Sequence, residues 1–158
     1  MILYHGSNMD FGDIDMQKCQ PNKDFGCGFY LTNIEQQAKE MAARRTKIVK
    51  KGTPTVLAFY FDENKLSDKE LSVKIFDSPT EEWALFILAN RNHEGRINKH
   101  RYDIVIGPVA DDGVAFQLER YEQKMIDLPT LVRELTYRKL NKQYFFGTTK
   151  AISYLKKI

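Results

Sequence analysis

A single α+β domain spanning residues 1–158 is the fold that the amino-acid sequence predicts, and three observations predict it. Short apolar or aromatic runs of strand length alternate with segments of helical periodicity. The strands lack the regular spacing of βαβ units, which argues against a doubly wound parallel sheet. No internal repeat, low-complexity tract or Pro/Gly-rich linker interrupts the chain, so no domain boundary is drawn.

The elements follow in order. Residues 2–5 read as a short strand, followed by a polar loop through Asn22, and Phe29, Tyr30 and Leu31 read as a second strand. Thr32 and Glu35 have the spacing of a capping box, opening a helix to about residue 50 with Ile34, Ala38, Met41 and Ala42 on its apolar face. Gly52 and Pro54 end it. Residues 56–61 are dense in apolar and aromatic side chains and predict a buried strand. Ser67 and Glu70 suit the capping of one helical turn. Ser78, Pro79 and Glu81 supply an N-cap, a first-turn proline and an acid at the positive end of a helix. That helix carries Trp83, Phe86, Ile87 and Asn90 inward, with Leu88 at the boundary. A strand over 102–106 is stopped by Gly107 and Pro108, and helical patterns cover 113–123 and 128–139. A strand over 143–146 and a last helix, capped by Thr148 and holding Ala151, Ile152 and Leu155, complete the chain.

Composition bounds the function. With 158 residues, 42% hydrophobic and 28% charged, the chain can bury one core without staples. Ten Phe and eight Tyr supply a core or a cleft for a flat ligand. A net charge of +3 permits an anionic ligand but falls short of a dedicated nucleic-acid binder. Cys19 and Cys27 have neither metal-ligand spacing nor a disulfide framework, which suits a reducing compartment. No stretch is long and apolar enough to span a membrane, and residues 1–7 lack the regions of a secretory signal, so a cytoplasmic location is expected. Arg44, Arg45, Lys47, Lys50 and Lys51 read as a solvated face near a helix C-terminus. Trp83 reads as a core anchor, and His93 and His100 as loop residues from which no metal site follows.

Two constellations carry the candidate chemistry. His5 stands in Leu3-Tyr4-His5-Gly6-Ser7, where a strand-end imidazole beside a residue without a side chain can offer a ring nitrogen while the backbone approaches a ligand. The plain alternative is a histidine satisfied by a local carbonyl. The second is Asp24-Phe25-Gly26-Cys27-Gly28-Phe29-Tyr30-Leu31-Thr32, in which Tyr30 offers a face for a planar heterocycle. It is not a dinucleotide fingerprint, since the third glycine is missing and the run leads into a strand. Its alternative is a tight turn with core aromatics.

In order and in strand context, these two motifs resemble the first two motifs of the His–Tyr–Glu branch of ADP-ribosyltransferases, which includes diphtheria toxin and the poly-ADP-ribose polymerases. The whole chain also resembles a family of small bacterial ADP-ribosyltransferase-like proteins, through residues 102–112 and Gln143-Tyr144-Phe145-Phe146-Gly147-Thr148. The resemblance implies two small, mainly antiparallel sheets flanked by helices and enclosing a cleft for NAD, which is consumed as a substrate. It implies that His5 bonds the adenosine ribose, that the Gly6 backbone holds the nicotinamide carboxamide, and that Tyr30 stacks on the nicotinamide. Ser7, Gly28, Phe29 and Thr32 complete the implied binding set. The glutamate of the related enzymes is replaced by Gln143, so an amide dipole stands where a carboxylate would stabilise the ribose cation. If Gln143 limits the chemistry, Gln143→Glu is expected to raise NAD cleavage. Asp111 and Asp112 are the expected compensators, by charge or as proton acceptors, with N-capping of the next helix as the alternative for either.

The expected function is therefore NAD-dependent ADP-ribosyl transfer to an unknown protein or nucleic-acid acceptor, as in a bacterial toxin or modifier, with no metal. The alternatives are an NAD or ADP-ribose binding module with little turnover, or an interaction protein of the same fold masked by a small antitoxin-like partner.

Overall fold

The computed structural model describes residues 1–136 and 138–158. It is an α+β structure with two small sheets and, among the described residues, five α-helices. Strands β1 (Ile2–Ser7), β3 (Thr55–Tyr60) and β7 (Lys156–Lys157) form an antiparallel sheet in the order β1-β3-β7. Strands β2 (Phe29–Leu31), β4 (Val73–Ile75), β5 (Ile104–Pro108) and β6 (Lys142–Phe146) form the other, in the order β2-β6-β5-β4. Only the β4–β5 pair in that sheet runs parallel.

Two apolar clusters use opposite faces of the four-stranded sheet, as strand alternation requires. The first joins the sheets: Leu3, Leu57 and Phe59 from one meet Phe29, Leu31, Ile104, Ile106, Tyr144 and Phe146 from the other. The second packs Phe145 and Val105 under Phe25 and three helices, α2 (Glu81–Arg91), α3 (Asp112–Glu122) and α4 (Leu128–Thr136). Fully burying side chains of this size contributes about 1.5–3 kcal/mol each.

Helix α1 (Glu35–Val49) covers β1 with Ala38 and Ala42, its two buried residues. Met41 and Ile34, expected on that face, are 54% and 37% exposed, because the contact is narrow and seats alanines against a glycine. Its N-cap is Ile34, and Thr32 Oγ1 accepts from the Ile34 amide while bonding Gln37, so the expected Thr32–Glu35 box is replaced by a turn one step earlier.

Other boundaries shift for equally local reasons. Thr80, not Ser78, caps α2, its hydroxyl accepting from Trp83 N–H. The single turn expected at 67–70 lies at Glu63–Ser67 as a 3-10 turn capped by Asp62. β5 continues through Gly107 and Pro108, since β4 stops opposite Ile106 and leaves the missing proline N–H without a strand to serve. The helix expected over 128–139 ends at Thr136, and residue 137 of that expectation lies outside the described residues. α5 (Thr149–Ile152) is capped by Thr148 and stops before Leu155. None of the helices among the described residues is long and apolar enough to cross a membrane.

Candidate functional site

Among the described residues, the two sheets meet at one isolated bridge. Tyr4 N–H donates to the Thr32 carbonyl at 2.7 Å, and Thr32 N–H donates to the Tyr4 carbonyl at 2.9 Å. In an antiparallel ladder such pairs recur every second residue, so the next would join Gly6 to Tyr30. It does not form. His5 Nδ1 bonds the Tyr30 carbonyl at 2.8 Å, taking the acceptor that Gly6 N–H would have used. The Gly6 amide and carbonyl, on the strand edge turned away from β3, are left without partners among the described residues.

A carbonyl only accepts, so His5 Nδ1 carries the proton. Burial pushes the imidazole below its ordinary value of 6.5, against the pull of the Tyr30 carbonyl and with the help of Arg45. The ring is therefore neutral, and Nε2 is a bare acceptor. It is held against Phe29, with centroids 4.4 Å apart, and near Phe11 at 5.9 Å. One nitrogen thus satisfies a local carbonyl, as the plain alternative has it, and the other is unclaimed among the described residues.

Gly6 is required by packing. A Cβ there would lie 2.2 Å from the Ala38 carbonyl and 2.7 Å from the Ala42 amide, inside α1. Gly28 is likewise filled by Phe145, whose ring would stand 2.2 Å from an added Cβ. Gly26 is fixed twice: a Cβ there would lie 2.3 Å from Asn98 Oδ1, and its φ of +99° makes the turn that brings its carbonyl to Tyr30.

The Tyr30 hydroxyl donates to the Gly26 carbonyl at 2.7 Å and accepts from Phe25 N–H at 2.9 Å, closing the loop onto its own strand. Burial raises the phenol well above its ordinary value, opposed by the bond from Phe25 and aided by Asp24. The hydroxyl is thus a structural tie, and what Tyr30 can offer a ligand is its half-buried ring. Phe145 faces that ring across the strands at 5.2 Å. Gln143, two residues earlier on the same face of β6, is Tyr30's diagonal neighbour.

Gln143 is held by groups that reading the sequence did not assign. Its Nε2 donates to Asp24 Oδ2 at 2.8 Å and to the Pro108 carbonyl at 3.2 Å. Both partners accept only, so the NH2 group must face them, and Oε1 is left with no partner among the described residues. Asp24 also receives Arg91 Nε and Nη2 on Oδ1 at 2.9 and 2.7 Å, and Ala110 N–H on Oδ2 at 3.2 Å. The carboxylate beside Gln143 is thus Asp24. Asp111 caps α3 by accepting from Val114 N–H at 2.9 Å, Asp112 lies in the first turn, and both are exposed. Asp24 stood in plain view at the head of the glycine motif, but its partners lie 67 to 119 residues away.

The remaining motif residues hold the frame. Ser7 is buried and its hydroxyl accepts from Met9 N–H at 3.3 Å, and Phe29 is core. Asn98 pairs with both the amide and the carbonyl of Cys27, at 2.7 and 3.0 Å. His100, expected as a loop residue, is wedged beside Phe86 and Tyr102 and bonds the Phe25 carbonyl at 2.7 Å. Cys27 Sγ lies 3.4 Å from the Cys19 carbonyl, and burial pushes the Cys19 thiol up to about 11, which leaves it unreactive. Hollows at the α3–α4 turn and between Met16, Cys27, Arg96 and Tyr102 include none of His5, Tyr30 or Gln143. No group of three or more His, Cys, Asp or Glu residues among the described residues is placed to hold a metal ion.

Comparison with curated proteins and with solved structures returned no match. The profile described as "protein of unknown function (DUF3990)" matches residues 1–157, so the chain belongs to that family.

Proposed function

We propose that the chain binds NAD at the split between β1 and β2 and transfers its ADP-ribose to an acceptor. The observation that carries this reading is the interrupted ladder. A primary carboxamide has one acceptor and two donors, and the unpaired amide and carbonyl of Gly6 complement it as a second strand would. In this reading Tyr30 offers its ring to the nicotinamide, and Gln143 Oε1 and His5 Nε2 are two neutral acceptors suited to ribose hydroxyls.

In the reaction the bond between nicotinamide N1 and ribose C1′ breaks. Nicotinamide leaves with the bonding pair as a neutral base, and the acceptor atom gives an electron pair to C1′ and loses its proton. Positive charge grows on the ribose ring meanwhile. Gln143 meets it with a dipole only, which lowers the expected rate by roughly a hundred- to a thousandfold against a carboxylate. The same neutrality supports a second reading, a module that binds NAD and turns it over little.

Calorimetric titration with NAD and measurement of released nicotinamide test both. Binding with release supports transfer, and binding without it supports the module. His5→Ala and Tyr30→Ala should each weaken binding. Absence of NAD binding by the wild type removes the proposal.

A further inference from the structure

We propose that Asp24, anchored by Arg91, is the positioning residue of this site: it locks the Gln143 amide with its oxygen outward and so makes the site specific for a hydroxyl donor. The inference rests on the NAD reading for its ligand, but its geometry stands apart from it.

A free glutamine side chain can present either end of its amide, and the two ends have opposite hydrogen-bonding character. Only an acceptor-only neighbour selects one of them. Asp24 is such a neighbour, and its four bonds divide by oxygen: Arg91 holds Oδ1 twice, while Oδ2 receives Gln143 and Ala110 N–H. Arg91 anchors the half-buried carboxylate through the fixed fork of its guanidinium. The Pro108 carbonyl takes the second amide proton, so rotation of the amide by half a turn would set oxygen against oxygen at both partners. The cluster ties the end of α2, the start of α3, β6 and the glycine-rich loop to one atom group. Its charge also polarises the amide, leaving Oε1 a better acceptor.

The test compares wild type, Asp24→Asn, and the exchanged pair Asp24→Asn with Gln143→Glu. An introduced asparagine can face Gln143 with either end, so orientation is lost while size is kept. Nicotinamide release by Asp24→Asn should fall roughly 10–100-fold, the scale for removing an orienting partner, with the NAD dissociation constant changed less than about threefold. The exchanged pair, whose amide now donates to a carboxylate at position 143, should recover release at least to the wild-type level, since that carboxylate also faces the ribose charge. Equal loss in the single and exchanged variants would overturn the proposal, because a strut of general structure is not restored by swapping roles. A second readout needs no NAD: the Gln143 side-chain NH2 resonances, identified by their absence in Gln143→Glu, should exchange slowly in wild type and fast in Asp24→Asn. Slow exchange in both sinks the positioning role. Slow-to-fast exchange in a protein that never binds NAD keeps Asp24 in place and removes the NAD reading alone. If Asp24→Asn does not fold, a folded exchanged pair supports the proposal and an unfolded one overturns it.

Discussion

Gln143→Glu, alone, should destabilise the protein in a pH-dependent way. The wild-type NH2 donates at 2.8 Å to Asp24 and at 3.2 Å to the Pro108 carbonyl, and the substitution places an ionised oxygen against both acceptors. Two unit charges about 4 Å apart repel by about 4 kcal/mol at an effective dielectric of ~20. Protonation limits that penalty: holding a glutamic acid of ordinary pKa about 4.3 in its neutral form at pH 7 costs about 1.36 × 2.7, or ~3.7 kcal/mol. A loss of about 2–4 kcal/mol at pH 7 follows, lowering Tm by roughly 4–16 °C for a chain of this length. Because the folded state raises the introduced carboxyl's pKa, the folded form binds the extra proton. The penalty is full above the folded pKa and absent below about 4.3, shrinking to ~1 kcal/mol by pH 5. Urea unfolding of variant and wild type at pH 7 and pH 5, with equal slopes, measures this. Equal midpoints at pH 7, or a gap that does not close at pH 5, would refute the placement of the amide. The same clash reverses the expectation that a glutamate here speeds NAD cleavage: release at pH 7 should fall.

Gly6→Ala drives a methyl into α1 at the Ala38 carbonyl and should lower stability by about 1–3 kcal/mol, read from urea midpoints. Asp111→Ala should lose about 1 kcal/mol of helix capping while Asp111→Asn stays within a few tenths, and neither should alter nicotinamide release; a selective loss of release would return Asp111 to the site. Burial lowers the folded pKa of His5 and His100 below 6.5, so the unfolded chain binds more protons near that value. Their contribution is complete above about pH 6.5 and is lost as pH falls through the folded values. His100→Gln should flatten part of the decline in unfolding free energy between pH 7.5 and 5.5, and an unchanged slope would contradict the assignment.

Much of the fold was legible because local chemistry decided it. The spacing of Ala38 and Ala42, the apolar run at β3, and the Thr148 cap each act within one element. Elements set by distant partners were not. β4 is three residues long and exists because Val73, Lys74 and Ile75 pair with Ile104, Val105 and Ile106. β7 is two lysines that finish the edge of β3. Of the proposed site, His5, Gly6, Tyr30 and Gln143 were visible as residue types in an ordered series. The pairing of Asp24 with Arg91 was invisible, since neither spacing nor periodicity marks an ion pair formed across 67 residues. Asp111 and Asp112 drew attention as adjacent acids, yet the helix they start explains them.

The Tyr4–Thr32 bridge joins the sheets by two hydrogen bonds, whereas longer ladders run on either side of it. Their shared apolar cluster and the His5–Tyr30 bond resist separation, so opening between the sheets must break this bridge as well. These two amide protons are therefore the natural gauge of breathing between the sheets. Deuterium should enter them sooner than the interior of β3, and a ligand wedged beside them should slow its entry.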